Sequence, residues 1–206
     1  MVVVVDYGMG NIRSVSKAFE ACGAEVKVSS DPKDLEAAER IVLPGVGAFG
    51  DCMDNLQNVR LLEVLREEVV TKKKPYFGIC LGMQILAKTG EEKGHHHGLG
   101  WLPGRTIGFS FNGSAPLKVP HIGWNNIEIV RDSPLWKGLG SKLDFYFVHS
   151  FHLVTEEASA VAATCEYGIC FNAAVQKDNI FATQFHPEKS QECGLKIIRN
   201  FMVWKP

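Results

Sequence analysis

The sequence has no CxxC pair, no repeat, no low-complexity tract and no apolar run approaching the roughly 18 to 20 residues a membrane helix needs. It also lacks an excess of either charge: 22 basic residues stand against 23 acidic ones, a formal net charge of -1. Each lack removes a class of function. Without a basic surplus there is no electrostatic case for nucleic acid or an anionic membrane surface as partner. The N-terminus enters the run Val2 to Val5 at once, without the basic start of a secretory leader, so a cytoplasmic protein is expected. The six cysteines (Cys22, Cys52, Cys80, Cys165, Cys170 and Cys193) are scattered along a chain of 206 residues that is 46% hydrophobic. That is enough material to bury a core without disulfides. No composition shift marks a linker, and a single domain over residues 1–206 is expected.

What is present is an alternation of elements. Val2–Val5 is an all-β-branched run, and a helical stretch from about Ile12 to Ala21 stops at Gly23. The unit repeats with Glu25–Val28, a polar helix near Pro32–Ala38, then Arg40–Leu43 and the turn Pro44-Gly-Val-Gly47. Helical spacing predicts a helix over Asn58–Val70, with Lys72, Lys73 and Lys74 at its solvated C-terminal end. After Pro75 come a strand, Tyr76–Ile79, and a helix from about Leu81 to Lys88. Apolar strands separated by helices predict an α/β fold with a mostly parallel central sheet covered on both faces. The second half carries short β-like runs (Asn126–Val130, Phe145–Val148, Ala160–Cys165, Ile180–Gln184), expected as antiparallel or mixed strands, and Gly194–Trp204 reads as a closing helix.

Two stretches carry chemistry. Gly78-Ile-Cys80-Leu-Gly82, between a strand and a helix, has the form of a nucleophile elbow with cysteine in place of serine. Glycines on both sides let the backbone turn sharply and leave the thiol standing clear, at a helix start where free N–H groups can hold a developing oxyanion. A buried cysteine between structural glycines is the plainer alternative. The run Ile180 to Glu188 delivers His186 and Glu188 two residues apart, and if it stays extended both side chains share one face, where the carboxylate can orient the imidazole. A strand-end histidine satisfied by its neighbour would look the same.

Taken together, Phe77-Gly-Ile-Cys-Leu-Gly-Met-Gln84, Leu43-Pro-Gly-Val-Gly47 and Gln184-Phe-His-Pro-Glu188 resemble the three signatures of the class I glutamine amidotransferases. Asp6-Tyr-Gly-Met-Gly-Asn11, Pro120-His-Ile-Gly-Trp-Asn125 and Tyr146-Phe-Val-His-Ser150 resemble one branch of that class, the glutaminase subunits of imidazole glycerol phosphate synthases. The resemblance implies a flavodoxin-like fold and a Cys80, His186, Glu188 triad that hydrolyses the glutamine side-chain amide. It implies an oxyanion hole at Val46, Gly47 and Leu81, and a substrate pocket lined by Gln84, Glu92, Ser150 and Phe151, the last a departure from the tyrosine often found in the family. It further implies histidine biosynthesis, no cofactor or metal, and a separate (β/α)8 barrel synthase partner, which supplies the lyase step and is met by Asn11, Trp124, Asn125 and Lys189. From the residues alone, Trp124 could equally be a core aromatic.

Rival readings are weaker. Gly45-x-Gly47-x-x-Gly50 matches a dinucleotide fingerprint, but Glu67 and Glu68, the acids about 20 residues on, fall within a helix rather than at a strand end. His95, His96 and His97 point in different directions within a Gly-rich stretch and read as a mobile loop rather than a metal site. A cysteine peptidase, a γ-glutamyl hydrolase or a paralogue feeding ammonia to a sugar-amidinating enzyme would share the elbow and triad.

Overall fold

The structure is a computed structural model that describes residues 1–111 and 117–206. In chain order the elements are β1 (Val2–Val5), α1 (Ile12–Ala21), β2 (Val26–Ser29), α2 (Pro32–Ala37), β3 (Arg40–Gly45) and α3 (Phe49–Asn58). Then come α4 (Leu62–Leu65), which widens into a π turn over Arg66–Thr71, β4 (Tyr76–Cys80), α5 (Leu81–Gln84), β5 (Thr89–Gly90), β6 (His96–His97) and β7 (Gly104–Gly108). The second half contributes β8 (His121–Ile129), β9 (Asp144–His149), β10 (Phe151–Thr155), β11 (Val161–Glu166), β12 (Cys170–Lys177), β13 (Ile180–Thr183) and α6 (Gln191–Val203).

Among the described residues a large sheet runs β2-β1-β3-β4-β13-β12-β11-β8-β9. Its first five strands are parallel, and β13 joins to β12, β11, β8 and β9 by antiparallel pairing. A second sheet, β10-β7-β5-β6, lies beside it. The parallel part has the doubly wound flavodoxin-like order, in which functional groups gather outside the carboxyl ends of the strands. Alternation along β1 divides the core: Val2 and Val4 face Phe19, Phe77, Phe181 and Phe201 on one side of the sheet, whereas Val3 and Val5 face Leu35, Leu43, Phe49 and Leu56 on the other. Each of those buried aromatic or leucine side chains contributes about 1.5–3 kcal/mol. No described helix is long and apolar enough to cross a membrane.

Three elements differ from the sequence expectation, each for a local reason. The helix expected over Asn58–Val70 begins only at Leu62, and α3 precedes it. The chain breaks between them in a Schellman turn: Leu61 N–H donates to Leu56 O at 3.0 Å and Arg60 N–H to Gln57 O at 3.0 Å, with Arg60 at φ 58°. Glycine is the usual residue there, as at Gly23 after α1, so an arginine hides the break. Helix α5 lasts one turn rather than reaching Lys88, because the N–H groups of Gly98, Leu99, Gly100 and Leu102 take the carbonyls of Lys88, Ile85, Ala87 and Leu86. The lysine triplet is not simply a solvated end: Lys72 and Lys74 each lie 2.6 Å from the buried carboxylate of Glu68, and Lys74 also donates to Leu35 O. Glu68 is thereby committed to the lysines, which removes it as a ribose ligand for the glycine-rich stretch.

Candidate active site

The site is built where β3, β4 and β13 end. Cys80 is the last residue of β4 and caps α5 with φ 53° and ψ -102°, a backbone conformation that costs a non-glycine residue about 1–3 kcal/mol. The surrounding glycines serve close approach. A Cβ on Gly78 would stand 2.4 Å from Gly82 O, and one on Gly82 would stand 2.0 Å from Leu43 O. Tyr76 Oη donates to Gly82 O at 2.9 Å and clamps the turn from below. With α5 only one turn long, the elbow offers free first-turn amides rather than a long helix dipole.

The loop after β3 faces the elbow. Gly45 pairs with Cys80 across the ladder, and Gly47 adopts φ 118°, where a Cβ would meet Met9 Cε at 2.4 Å. Val46 between them is 40% exposed. Val46, Gly47, Cys80, Leu81, Gln84, Glu92, Ser150 and Phe151 all line one cavity of about 250 Å³, with Pro120, Val148 and His149 completing its wall. The residues singled out in the sequence for the oxyanion hole and substrate pocket are therefore brought together.

His186 and Glu188 meet by a different route from the one expected. The chain leaves β13 and turns into a 3-10 segment, Pro187–Lys189, instead of staying extended. The pair still closes, with His186 Nδ1 2.8 Å from Glu188 Oε1, both side chains almost fully buried. His186 Nε2 is buried with no hydrogen-bond partner among the described residues, leaving that end of the ring open. Burial works to lower the His186 pKa, but the neighbouring Cys80 and then the Glu188 carboxylate outweigh it, and the net shift is upward.

Several polar groups hold the cavity. Gln84 Nε2 donates to Phe151 O at 2.8 Å and to Gln184 Oε1 at 3.3 Å, and Gln184 Nε2 in turn donates to the Cys80 sulfur at 3.5 Å. Glu92 also supports a neighbouring element, since its Oε2 accepts from Phe49 N–H at 2.9 Å and caps α3. Gln184, His149, Pro120 and Val148 were not assigned from the sequence. Each lies inside or beside a quoted motif, but only the folded register turns it toward the cavity.

The four remaining positions divide. Trp124 is 49% exposed on β8 and is not a core aromatic. Its ring lies edge-on to Tyr146 at 6.1 Å, and Lys189 Nζ stands 5.6 Å from the Tyr146 centroid, so Trp124 and Lys189 are linked through a residue that was overlooked. Asn125 turns inward, donating to Glu166 O at 3.0 Å. Asn11 opens α1 through its backbone carbonyl, without a side-chain cap bond. The histidine run is more ordered than a loose loop: His96 and His97 form β6, and His96 packs so closely on Gly50 that a Cβ there would lie 2.5 Å from its ring. Among the described residues no cluster of three His, Cys, Asp or Glu side chains could hold a metal ion.

The family model described as glutamine amidotransferase class-I matches residues 3–204. The chain is 52% identical over 205 residues to "Imidazole glycerol phosphate synthase subunit HisH" of Syntrophotalea carbinolica, covering 98% of each chain. It is 48% identical over 204 residues to the protein of the same description in Geobacter sulfurreducens, covering 97% of each. A solved structure of PurLQS from Thermotoga maritima superposes with a TM-score of 0.74 at 22% identity, covering 98% of this chain and 96% of that one, a likeness of fold. With an elbow cysteine, a buried His–Glu pair and a family match over nearly its whole length, the chain belongs to the class I glutamine amidotransferases.

Proposed function

We propose that this chain, acting as one glutaminase domain, hydrolyses the side-chain amide of glutamine and passes the ammonia to a (β/α)8 synthase subunit that makes imidazole glycerol phosphate and AICAR in histidine biosynthesis. The observation that carries the chemistry is the buried His186–Glu188 pair, closed at 2.8 Å, whose free ring edge serves Cys80 at the wall of the 250 Å³ cavity. Cys80 Sγ attacks the carboxamide carbon, and the oxygen takes the developing charge among the amides of Val46, Gly47 and Leu81. His186 carries the thiol proton to the departing nitrogen, held in its tautomer by Glu188, and ammonia leaves. Water then cleaves the glutamyl thioester with His186 as base, returning the thiol.

Gln84, Glu92, Ser150 and Phe151 form the glutamine pocket. Phe151 takes part in its hydrogen bonding through its carbonyl, so a phenylalanine in place of tyrosine leaves those bonds intact. The partner reading draws on the relatives' description and on exposed apolar residues, Val46 at the cavity and Val119, Ile122 and Trp124 on or just before β8, which are 40%, 47%, 59% and 49% exposed. Trp124, Lys189 and Asn11 are the positions assigned to that partner, whereas Asn125, assigned with them from the sequence, turns its amide inward onto Glu166 O. The test is glutamate release from glutamine by the purified chain, with and without the cognate barrel synthase and its nucleotide ligand, and with Cys80→Ala as control. Strong stimulation that vanishes in Cys80→Ala is expected. Cys80-dependent release indifferent to the synthase would keep the triad and refute the partner.

A further inference from the structure

Three buried histidines, His121, His149 and His152, take no part in the hydrolysis of the amide, and His149 is itself part of the cavity wall. His121 and His149 are direct cross-strand neighbours on β8 and β9. His149 Nδ1 lies 2.9 Å from Phe151 O, the same carbonyl that accepts from Gln84 Nε2. His149 Nε2 lies 3.1 Å from His121 Nδ1, and His121 Nε2 lies 3.3 Å from Asn125 Nδ2. Asn125 Nδ2 also donates to Glu166 O, while Asn125 Oδ1 accepts from Asn126 N–H at 2.8 Å, which fixes the orientation of the amide.

These linked groups end at a carbonyl on both sides, and a carbonyl only accepts. His149 Nδ1 must therefore carry a proton for Phe151 O, and in the neutral ring Nε2 is then an acceptor. Its donor has to be His121 Nδ1–H, which leaves His121 Nε2 to accept from Asn125. Protonating either ring on both nitrogens would place one N–H against another. Stacking of the His121 ring between Tyr167 at 3.9 Å and Phe147 at 4.8 Å prevents it from turning over to escape. We infer that Asn125, His121 and His149 form a one-directional hydrogen-bond chain that positions the Phe151 edge of the glutamine pocket from strand β8, both imidazoles being neutral with their proton on Nδ1.

Burial agrees with this placement. It holds the His121 pKa down at about 4 and, against the Phe151 hydrogen bond, that of His149 at about 3. Functionally, Phe151 O is shared between His149 and Gln84, so releasing one donor frees the carbonyl to shift and carries Ser150 and Gln84 with it. His121 and His149 act through the pocket edge as positioning residues. The kinetic consequence rests on the glutaminase reading, whereas the proton placement rests on the hydrogen-bond geometry.

The experiment has two arms. In imidazole-15N-labelled wild-type protein at neutral pH, NMR should find both rings as Nδ1–H tautomers; an Nε2–H tautomer or an imidazolium at either position overturns the chain. In glutamate-release assays with the cognate synthase, His121→Phe, which keeps the stacking and loses both bonds, should raise KM for glutamine about tenfold and leave kcat within about twofold. His121→Asn, whose amide can donate in the place of Nδ1, should restore most of the loss. A folded His121→Phe with unchanged KM overturns the positioning role. A wild-type complex that releases no glutamate sinks the glutaminase reading and the positioning role with it, and the NMR arm then decides the proton placement by itself.

Discussion

The parallel and antiparallel parts of the large sheet solve the same packing problem with different materials. Strands β1, β4 and β13 are buried at every position, whereas β9 alternates between buried and half-buried residues and β8 exposes Ile122 and Trp124. In the first region there is no solvent face from which a side chain could reach a substrate, so the nucleophile is presented by bending the backbone and removing Cβ atoms. In the second, side chains of one face are free to form a hydrogen-bonded wall. The catalytic edge is thus held by glycines and the pocket edge by histidines and amides, and the two should fail differently when altered.

The largest effect falls on the backbone-built edge. Cys80→Ala should reduce glutamate release by about 10⁴-fold or more while leaving the urea midpoint close to wild type; retained release would place the nucleophile elsewhere. Gly82→Ala puts a methyl group 2.0 Å from Leu43 O, and neither atom belongs to a flexible side chain. We expect it to cost about 3 kcal/mol or more or to prevent folding, read from the urea midpoint. A near-neutral Gly82→Ala would break the comparison outright.

The side-chain-built wall should yield gradually, and to pH. Burial is the main cause that lowers the pKa values of His121, His149 and His152, to about 4, about 3 and about 4. In the unfolded chain these groups titrate near 6.5, so as pH falls below that value the unfolded state binds protons that the folded state refuses. Stability is therefore full above about pH 6.5 and is lost progressively down to about pH 3–4. His186 is shifted the other way: the folded state already holds a proton that the unfolded state takes up only as pH falls through about 6.5, so it offsets part of the loss from the three buried rings without reversing it. The urea midpoint should fall between pH 7 and pH 5, and His152→Phe, which removes a ring whose Nδ1 has no partner among the described residues, should flatten the fall. A flat wild-type profile would contradict the assignment of these rings as buried and neutral. The smallest effect is expected at a helix cap outside both regions: Glu92→Ala removes the cap on α3 and should cost about 1 kcal/mol in the same assay.

The sequence was easiest to read where one residue type decides the local outcome. A run of valines marks β1, Gly23 ends α1, and Gly78 and Gly82 mark the elbow. It was hardest to read where the deciding partner is distant. Helix α3 starts at an amide capped by Glu92, 43 residues away in sequence, and ends on an arginine in a glycine's conformation. Helix α5 stops because a later loop occupies its carbonyls. The His186–Glu188 contact was foreseen, yet through an extended strand that the structure replaces by a 3-10 turn. The histidine chain was visible only as two motifs, since the link between them is set by the pairing of His121 with His149 across β8 and β9.

The carbonyl of Phe151 accepts from both Gln84 and His149, and neither bond depends on which side chain the residue carries. Selection acting on these bonds is therefore blind to the amino acid at that position. Drift at 151 is a poor guide to its importance, and a saturation library there should return many active clones, whereas libraries at Gln84 or His149 should return few.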